Sequence, residues 1–348
     1  MLRAIGIGMV SLLLLAFSLG SSLEEFIFPS HFPEPVYSFE NNPLTAEKIE
    51  LGRLLFYDPV LSRDSSFSCA SCHSPFNAFA HSDHDLSHGI DDQIGTRNAP
   101  ALFNLAWQKK FLWDGAINHL DRQALAPIND STEMGETTAG VIAKLNRSKF
   151  YPKLFQSAFG DSTVTGENML KAMAQFQLTL VSSNSKYDRV MLAGSAGHTS
   201  DSFTEKEERG YRLYKMHCSS CHQEPLFSSY EFASNGLPID TSLNDFGRGA
   251  ITGLSADSLQ FKIPSLRNLS FTAPYMHDGR FRRLKEVVQH YTSGIVKHKQ
   301  LSQELSKPIS ISRDEQTELI AFLLCLNDRE FVFDTKHQFP RYILESNE

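Results

Sequence analysis

Apolar positions recur at helical spacing in four places along the chain, and each place is preceded by residues suited to start a helix. Thr45 stands before a segment carrying Ile49, Leu51, Leu54 and Leu55, and Thr165 before one carrying Met169, Ala172, Met173, Phe176 and Leu180. A period near 3.6 after a capping residue predicts helices buried on one face, with both methionines as core packing. Thr204 with Glu207 makes a capping-box pattern ahead of Gly210, Tyr211, Leu213 and Tyr214, and Ser312 with Glu315 repeats it ahead of a helix predicted to reach about Leu326. No stretch alternates strongly enough to propose a sizeable sheet, so the predicted fold class is mostly α. A different apolar run covers residues 4–19, between Arg3 and the small residues Gly20, Ser21 and Ser22. It reads as a signal peptide over residues 1–22. The alanines usual at a cleavage site are missing, so an uncleaved membrane anchor is the alternative. No later apolar run is long enough to span a bilayer.

Two pentapeptides change the picture. Cys69-Ala-Ser-Cys72-His73 and Cys218-Ser-Ser-Cys221-His222 carry the spacing used for covalent attachment of haem c. Two thiols add to the two vinyl groups of one porphyrin, and the imidazole of His73 or His222 then ligates the iron. A redox pair, a zinc site or a disulfide are the other readings of such cysteines, but neither motif lies in a βαβ pattern and the trailing His occurs twice. Two covalently bound haem c groups are therefore expected, in a periplasmic protein, because this attachment takes place outside the bacterial cytoplasm. A helix before the motif packed on one at the domain's end is the arrangement of small c-type cytochromes. The chain accordingly divides into two cytochrome c-like helical domains, 23–185 and 201–340, with a linker at 186–200 in the Ser- and Gly-rich stretch 182–201. Each would hold one haem, with the haem sites near the domain interface. The fifth cysteine, Cys325, lies in an apolar series and reads as core. With 33 basic against 40 acidic residues and a net charge of −7, the chain is not expected to bind nucleic acid, and a basic or dipolar redox partner is favoured.

The sixth coordination position separates an electron carrier from a peroxide enzyme. Between residues 97 and 136 lie Arg97-Asn98-Ala99-Pro100, Phe111-Leu112-Trp113-Asp114-Gly115, Gln123-Ala124-Leu125-Ala126-Pro127 and Glu133-Met134-Gly135, none of which a carrier needs. Peroxide cleavage needs an open iron face and a group that moves a proton from the near to the far oxygen, and Glu133 is the candidate. Taken alone, a Glu in a loop is more often a solvated surface residue.

These strings, the two haem motifs and Thr272-Ala-Pro274-Tyr-Met-His-Asp278-Gly279 resemble, in order and approximate spacing over residues 44–330, the bacterial di-haem cytochrome c peroxidase family, which includes the MauG-type enzymes. The resemblance implies a peroxidatic haem on His73 and an electron-relaying haem on His222. It implies Glu133 as distal acid/base, Gln123 and Pro127 as lining of that pocket, and Trp113 between the haems. It also implies a calcium ion held by the Asn98 side chain and carbonyls around Thr272 and Pro274, oxygen ligation that suits a hard cation.

Two further positions follow from the resemblance. Tyr291 stands where many of the peroxidases place a Met ligand to the second haem, as in the MauG-type branch, and a phenolate there lowers the potential. Met276, His277 and His290 are its rivals. His88 matches a His that closes the first haem in the oxidised state of many members, with His81 and His84 as alternatives. The implied function is a periplasmic peroxidase reducing hydrogen peroxide with electrons from a small cytochrome c or a cupredoxin. The alternatives are a MauG-type enzyme that oxidises a protein or organic substrate, and a non-catalytic di-haem carrier. The family often dimerises, so a homodimer is an open expectation.

Overall fold

The computed structural model describes residues 23–196 and 201–341. The signal-peptide reading at 1–22 and residues 197–200 of the predicted linker lie outside the described residues. The described chain is mostly helical, and two helix pairs organise it by the same device. In the first pair, the Thr45 side chain accepts from the Lys48 amide to start Ala46–Tyr57, and Thr165 does the same for Asn168 to start Gly166–Leu178. In the second, the capping boxes Thr204/Glu207 and Ser312/Glu315 are both closed, starting Glu205–His217 and Arg313–Leu324.

Each pair crosses at a glycine. A Cβ on Gly52 would lie 1.9 Å from the carbonyl oxygen of Ala172, and one on Gly210 would lie 2.0 Å from that of Glu318. No side chain fits between backbones this close. Around the first crossing pack Leu51, Leu55, Met169 and Met173, and around the second Leu213, Tyr214, Leu319 and Phe322. Each such fully buried side chain contributes roughly 1.5–3 kcal/mol. Cys325 is buried as well.

Extended structure is slight among the described residues: Phe232–Ala233 pairs antiparallel with Phe261–Lys262, Phe232 opposite Lys262. Residues distant in sequence are instead tied by charge. Arg97 bridges Asp114 at 2.5 Å and Asp245 at 2.7 Å. Lys186–Ala196, inside the Ser- and Gly-rich stretch, is an α-helix. Its Asp188 meets Arg267 at 2.6 Å with both side chains fully buried, and His31 reaches the same carboxylate at 2.9 Å. Burial alone would raise the Asp188 carboxyl, but Arg267 and His31 overcome it and hold the group well below the usual range.

Candidate functional site: two haem motifs and the pockets beside them

The first motif forms the short helix Cys69–Cys72, started by a Ser68/Ser71 capping box. His73 follows it, and its Nδ1 lies 2.9 Å from the Phe79 carbonyl oxygen. A carbonyl only accepts, so the proton sits on Nδ1 and the Nε2 lone pair is left for a metal. The second motif repeats this, with His222 Nδ1 at 3.0 Å from the Pro264 oxygen and 3.3 Å from that of Phe227. Burial lowers both imidazoles to about 4, so each is in the neutral, ligating form at pH 7. None of the five cysteines is paired in a disulfide. Burial pushes Cys69 and Cys218 up to about 12 and Cys72 to about 11.

Glu133 belongs to the first motif's surroundings. Its side chain is half-buried, and burial, assisted by Asp130, raises its carboxyl to about 7. Its charge in turn adds to the upward push on both Cys69 and Cys72, the cysteines of the first motif. The backbone fixes it there: the Met134 amide donates to the Pro127 carbonyl at 3.1 Å, and the Ile90 amide donates to that of Glu133 at 2.9 Å. Gly89 presses on the same loop, where a Cβ would lie 2.4 Å from the Glu133 carbonyl oxygen. His88 is thereby brought beside the first motif, its carbonyl accepting from Cys72 Sγ at 3.5 Å. The His88 ring stacks on His84 at 4.4 Å between centroids, and His84 on His81 at 5.4 Å.

A cavity of about 290 Å³ lies beside the second motif. Cys218, Cys221, His222, Met276 and Tyr291 line one part of it, and Trp113, Gln123 and Asn98 bring the first half of the chain to its wall. Cys69, Cys72, His73, His88, Pro127 and Glu133 are not among its lining residues. Tyr291 stands in a π-helical turn, His290–Gly294, a widened turn common at functional sites. Burial pushes its phenol up to about 12, and a hydrogen bond with Asn235 opposes this. The Asn235 amide also reaches Met276 Sδ at 3.6 Å, so the phenol and the thioether occupy one corner. Of the other two rivals, His290 Nε2 donates to the Asn235 carbonyl at 3.0 Å, and the His277 ring, also on the cavity wall, stacks on Phe261 with centroids 3.7 Å apart.

Haem fits this cavity on the structure's own terms. The Tyr230 hydroxyl is buried without a partner, and Tyr230 lines the cavity. A porphyrin bearing propionate carboxylates supplies the acceptor this donor lacks. Trp113 is held by its Nε1 donating to the Asn98 carbonyl at 2.8 Å. The Asn98 side chain in turn donates to the Pro274 carbonyl at 2.6 Å, so two of the residues assigned to calcium are in contact, and Thr272 lines the cavity nearby. Among the described residues no group of three His, Cys, Asp or Glu side chains converges on a metal position. Sequence reasoning missed Asn235, Tyr230 and Gly89, since a single amide, phenol or glycine carries no spacing signal.

The family model described as di-haem cytochrome c peroxidase matches residues 46–196. The methylamine utilization protein MauG of Methylophilus methylotrophus is 36% identical over 310 residues, covering 87% of this chain and 88% of that protein. The chain belongs to the di-haem cytochrome c peroxidase family. The cytochrome c551 peroxidase of Nitrosomonas europaea is 34% identical, over 82% of this chain and 81% of that one. The crystal structure of a MauG-like protein associated with microbial copper homeostasis superimposes with a TM-score of 0.80 at 29% identity, covering 91% of this chain and 99% of the other. As a member of this family the chain is a haem-dependent oxidoreductase with two haem c cofactors. Among the described residues no helix is long and apolar enough to cross a membrane.

Proposed function

We propose that the chain is a periplasmic di-haem enzyme that reduces hydrogen peroxide to water at the His73 site, drawing electrons through Trp113 and the His222 site. The observation that carries this reading is Glu133, a half-buried carboxyl raised to about 7 beside Cys69 and Cys72. Haem c, when bound to His73, supplies the iron on which the peroxide O–O bond is cleaved. Glu133 takes the proton from the near peroxide oxygen and delivers it to the far one, which leaves as water. A carboxyl near 7 suits both halves of that shuttle at neutral pH. Pro127, whose carbonyl holds the Met134 amide, shapes the pocket in this reading, Gln123 connects it to the wall of the second cavity, and His88 is its candidate closing ligand. The electron donor in this reading is a small cytochrome c or a cupredoxin. A calcium ion at Asn98, Thr272 and Pro274 would brace Trp113, whose indole hangs on the Asn98 carbonyl. A homodimer is the proposed assembly, on family grounds.

A second reading, in which a protein or organic substrate supplies the electrons as in MauG-type enzymes, is favoured by Tyr291 at the second site. An anionic phenolate ligand disfavours the reduced iron that a conventional relay needs. Stopped-flow mixing of the diferric protein with one equivalent of hydrogen peroxide, followed by a reduced small cytochrome c, separates the cases. Oxidation of two cytochromes per peroxide supports the peroxidase. A long-lived oxidised protein that the cytochrome cannot discharge supports the second reading, and absence of any haem change refutes an open first site.

A further inference from the structure

Outside the pockets described above, three tyrosines lie in sequence behind the second haem ligand. The Tyr214 hydroxyl donates to the carbonyl of His222 itself. The Tyr211 ring stacks on Tyr214 at 6.2 Å and 13° between planes, and Tyr187 approaches Tyr211 at 6.4 Å. The Tyr187 and Tyr211 hydroxyls both donate to Glu224 Oε1, each at 2.8 Å. The second carboxylate oxygen is held by Lys215 Nζ at 2.5 Å. Tyr187 comes from the Lys186–Ala196 helix and Tyr211 from Glu205–His217, so two elements converge on one carboxylate.

Packing alone does not require this arrangement. Phe227 and Phe322 fill the adjacent core without hydroxyls. A phenol loses an electron readily only if its proton can leave at the same time, because the oxidised phenol is a very strong acid. A carboxylate at hydrogen-bond distance provides that exit, whereas the backbone carbonyl facing Tyr214 does not. We propose that Tyr187 and Tyr211, with Glu224 as their shared proton acceptor, form a one-electron redox site that exchanges oxidising equivalents with the second haem.

The inference rests on the peroxide reading for its oxidant. Hydrogen peroxide takes up two electrons and two protons to become two waters. In this scheme one of the electrons comes from a tyrosine ring by way of the His222 site, the other comes directly from an external reductant, and both protons come from solvent. The phenolic O–H bond breaks, its proton forms an O–H bond with the Glu224 carboxylate, and a phenoxyl radical remains. An external reductant, a redox protein or an electron-rich aromatic group, later returns the electron, and the proton goes back from Glu224 to the phenol. Tyr211 is half-buried next to exposed Lys215, which gives the radical a route to the surface.

The test is electron paramagnetic resonance on the haem-loaded full chain, freeze-quenched after one equivalent of hydrogen peroxide, with a parallel sample oxidised by photogenerated ruthenium(III). Wild type is expected to give a tyrosyl signal in both samples. Tyr187→Phe with Tyr211→Phe is expected to reduce it about tenfold or more, and Glu224→Gln, which keeps the shape but removes the base, by a similar factor. Tyr214→Phe is expected to leave the radical in place. Haem spectra that respond to peroxide while the double variant keeps the full signal, or while wild type gives none, overturn the relay. If the haems ignore peroxide but the ruthenium sample still gives a signal that the double variant loses, the peroxide reading fails and the redox site stands.

Discussion

Replacing Glu133 by Gln removes the titrating group and keeps the side chain's volume, so its effect can be worked out from the carboxyl's position near 7. At pH 7 about half of such carboxyls are ionised, and at pH 5 about one in a hundred. Because the shuttle begins by accepting a proton, the wild-type rate of the peroxide step should rise about fiftyfold between these pH values. The Gln variant should be flat over the same range and, at pH 7, slower by about two to four orders of magnitude. The assay is stopped-flow absorbance of the diferric protein against a series of peroxide concentrations. A variant within threefold of wild type, or a wild-type rate indifferent to pH, removes Glu133 from the chemistry. Stability provides an independent check. A folded-state value raised above the ordinary 4.5 means that the native state keeps a proton that the unfolded chain releases, so stability is fully present below about 4.5 and declines as pH rises through about 7. The loss is about 3 kcal/mol at most, and the Gln variant should escape it. Denaturant titrations at pH 4 and pH 8 should show the two proteins equal at the first and the variant ahead at the second.

Four other outcomes follow from the structure. Tyr291→Met should raise the reduction potential of the second haem, read by spectroelectrochemical titration, and an unchanged potential excludes the phenol as a ligand. Gly52→Ala and Gly210→Ala should each cost at least about 1–3 kcal/mol, because both helix crossings would have to open; a melting point within a degree of wild type would contradict the packing. Asp188→Asn should cost about 3–5 kcal/mol by leaving Arg267 buried and uncompensated, measured by chemical unfolding. Asn98→Ala should abolish calcium uptake seen by calorimetry on chelator-treated protein, and undiminished uptake would move the ion elsewhere.

The four helices of the two pairs were legible because their signals are local. Thr45, Thr165, Thr204 and Ser312 each cap the helix that follows, as the hydroxyl and the apolar period beyond it predict. The two Cys-x-x-Cys-His motifs are local signals of the same kind, and the proposed ligands His73 and His222 each turn Nδ1 to a backbone carbonyl. What the chain does not display locally is partnership. Nothing around Asp188 announces that its carboxylate will be buried against Arg267 and His31, 79 and 157 residues away. The helix it sits on consists mostly of good helix formers, and it is Gly194 and Ser195 with the serines on either flank that suggest a linker. Glu133 is intermediate: its neighbours carried the resemblance, but its weakened acidity is a property of burial and appears only in three dimensions. The corner shared by Tyr291, Met276 and Asn235 could not be anticipated from any spacing.

The contact between Gly89 and the Glu133 loop couples two motions. With a backbone approach that leaves no room for a Cβ and a hydrogen bond from Ile90 to Glu133, the two loops are a single moving part. If His88 closes the first site as proposed, its movement must carry the Glu133 backbone with it or break that hydrogen bond. On that proposal, opening the site to peroxide and positioning Glu133 are one adjustment rather than two, and a loop redesigned for faster access would lose the alignment it was meant to exploit.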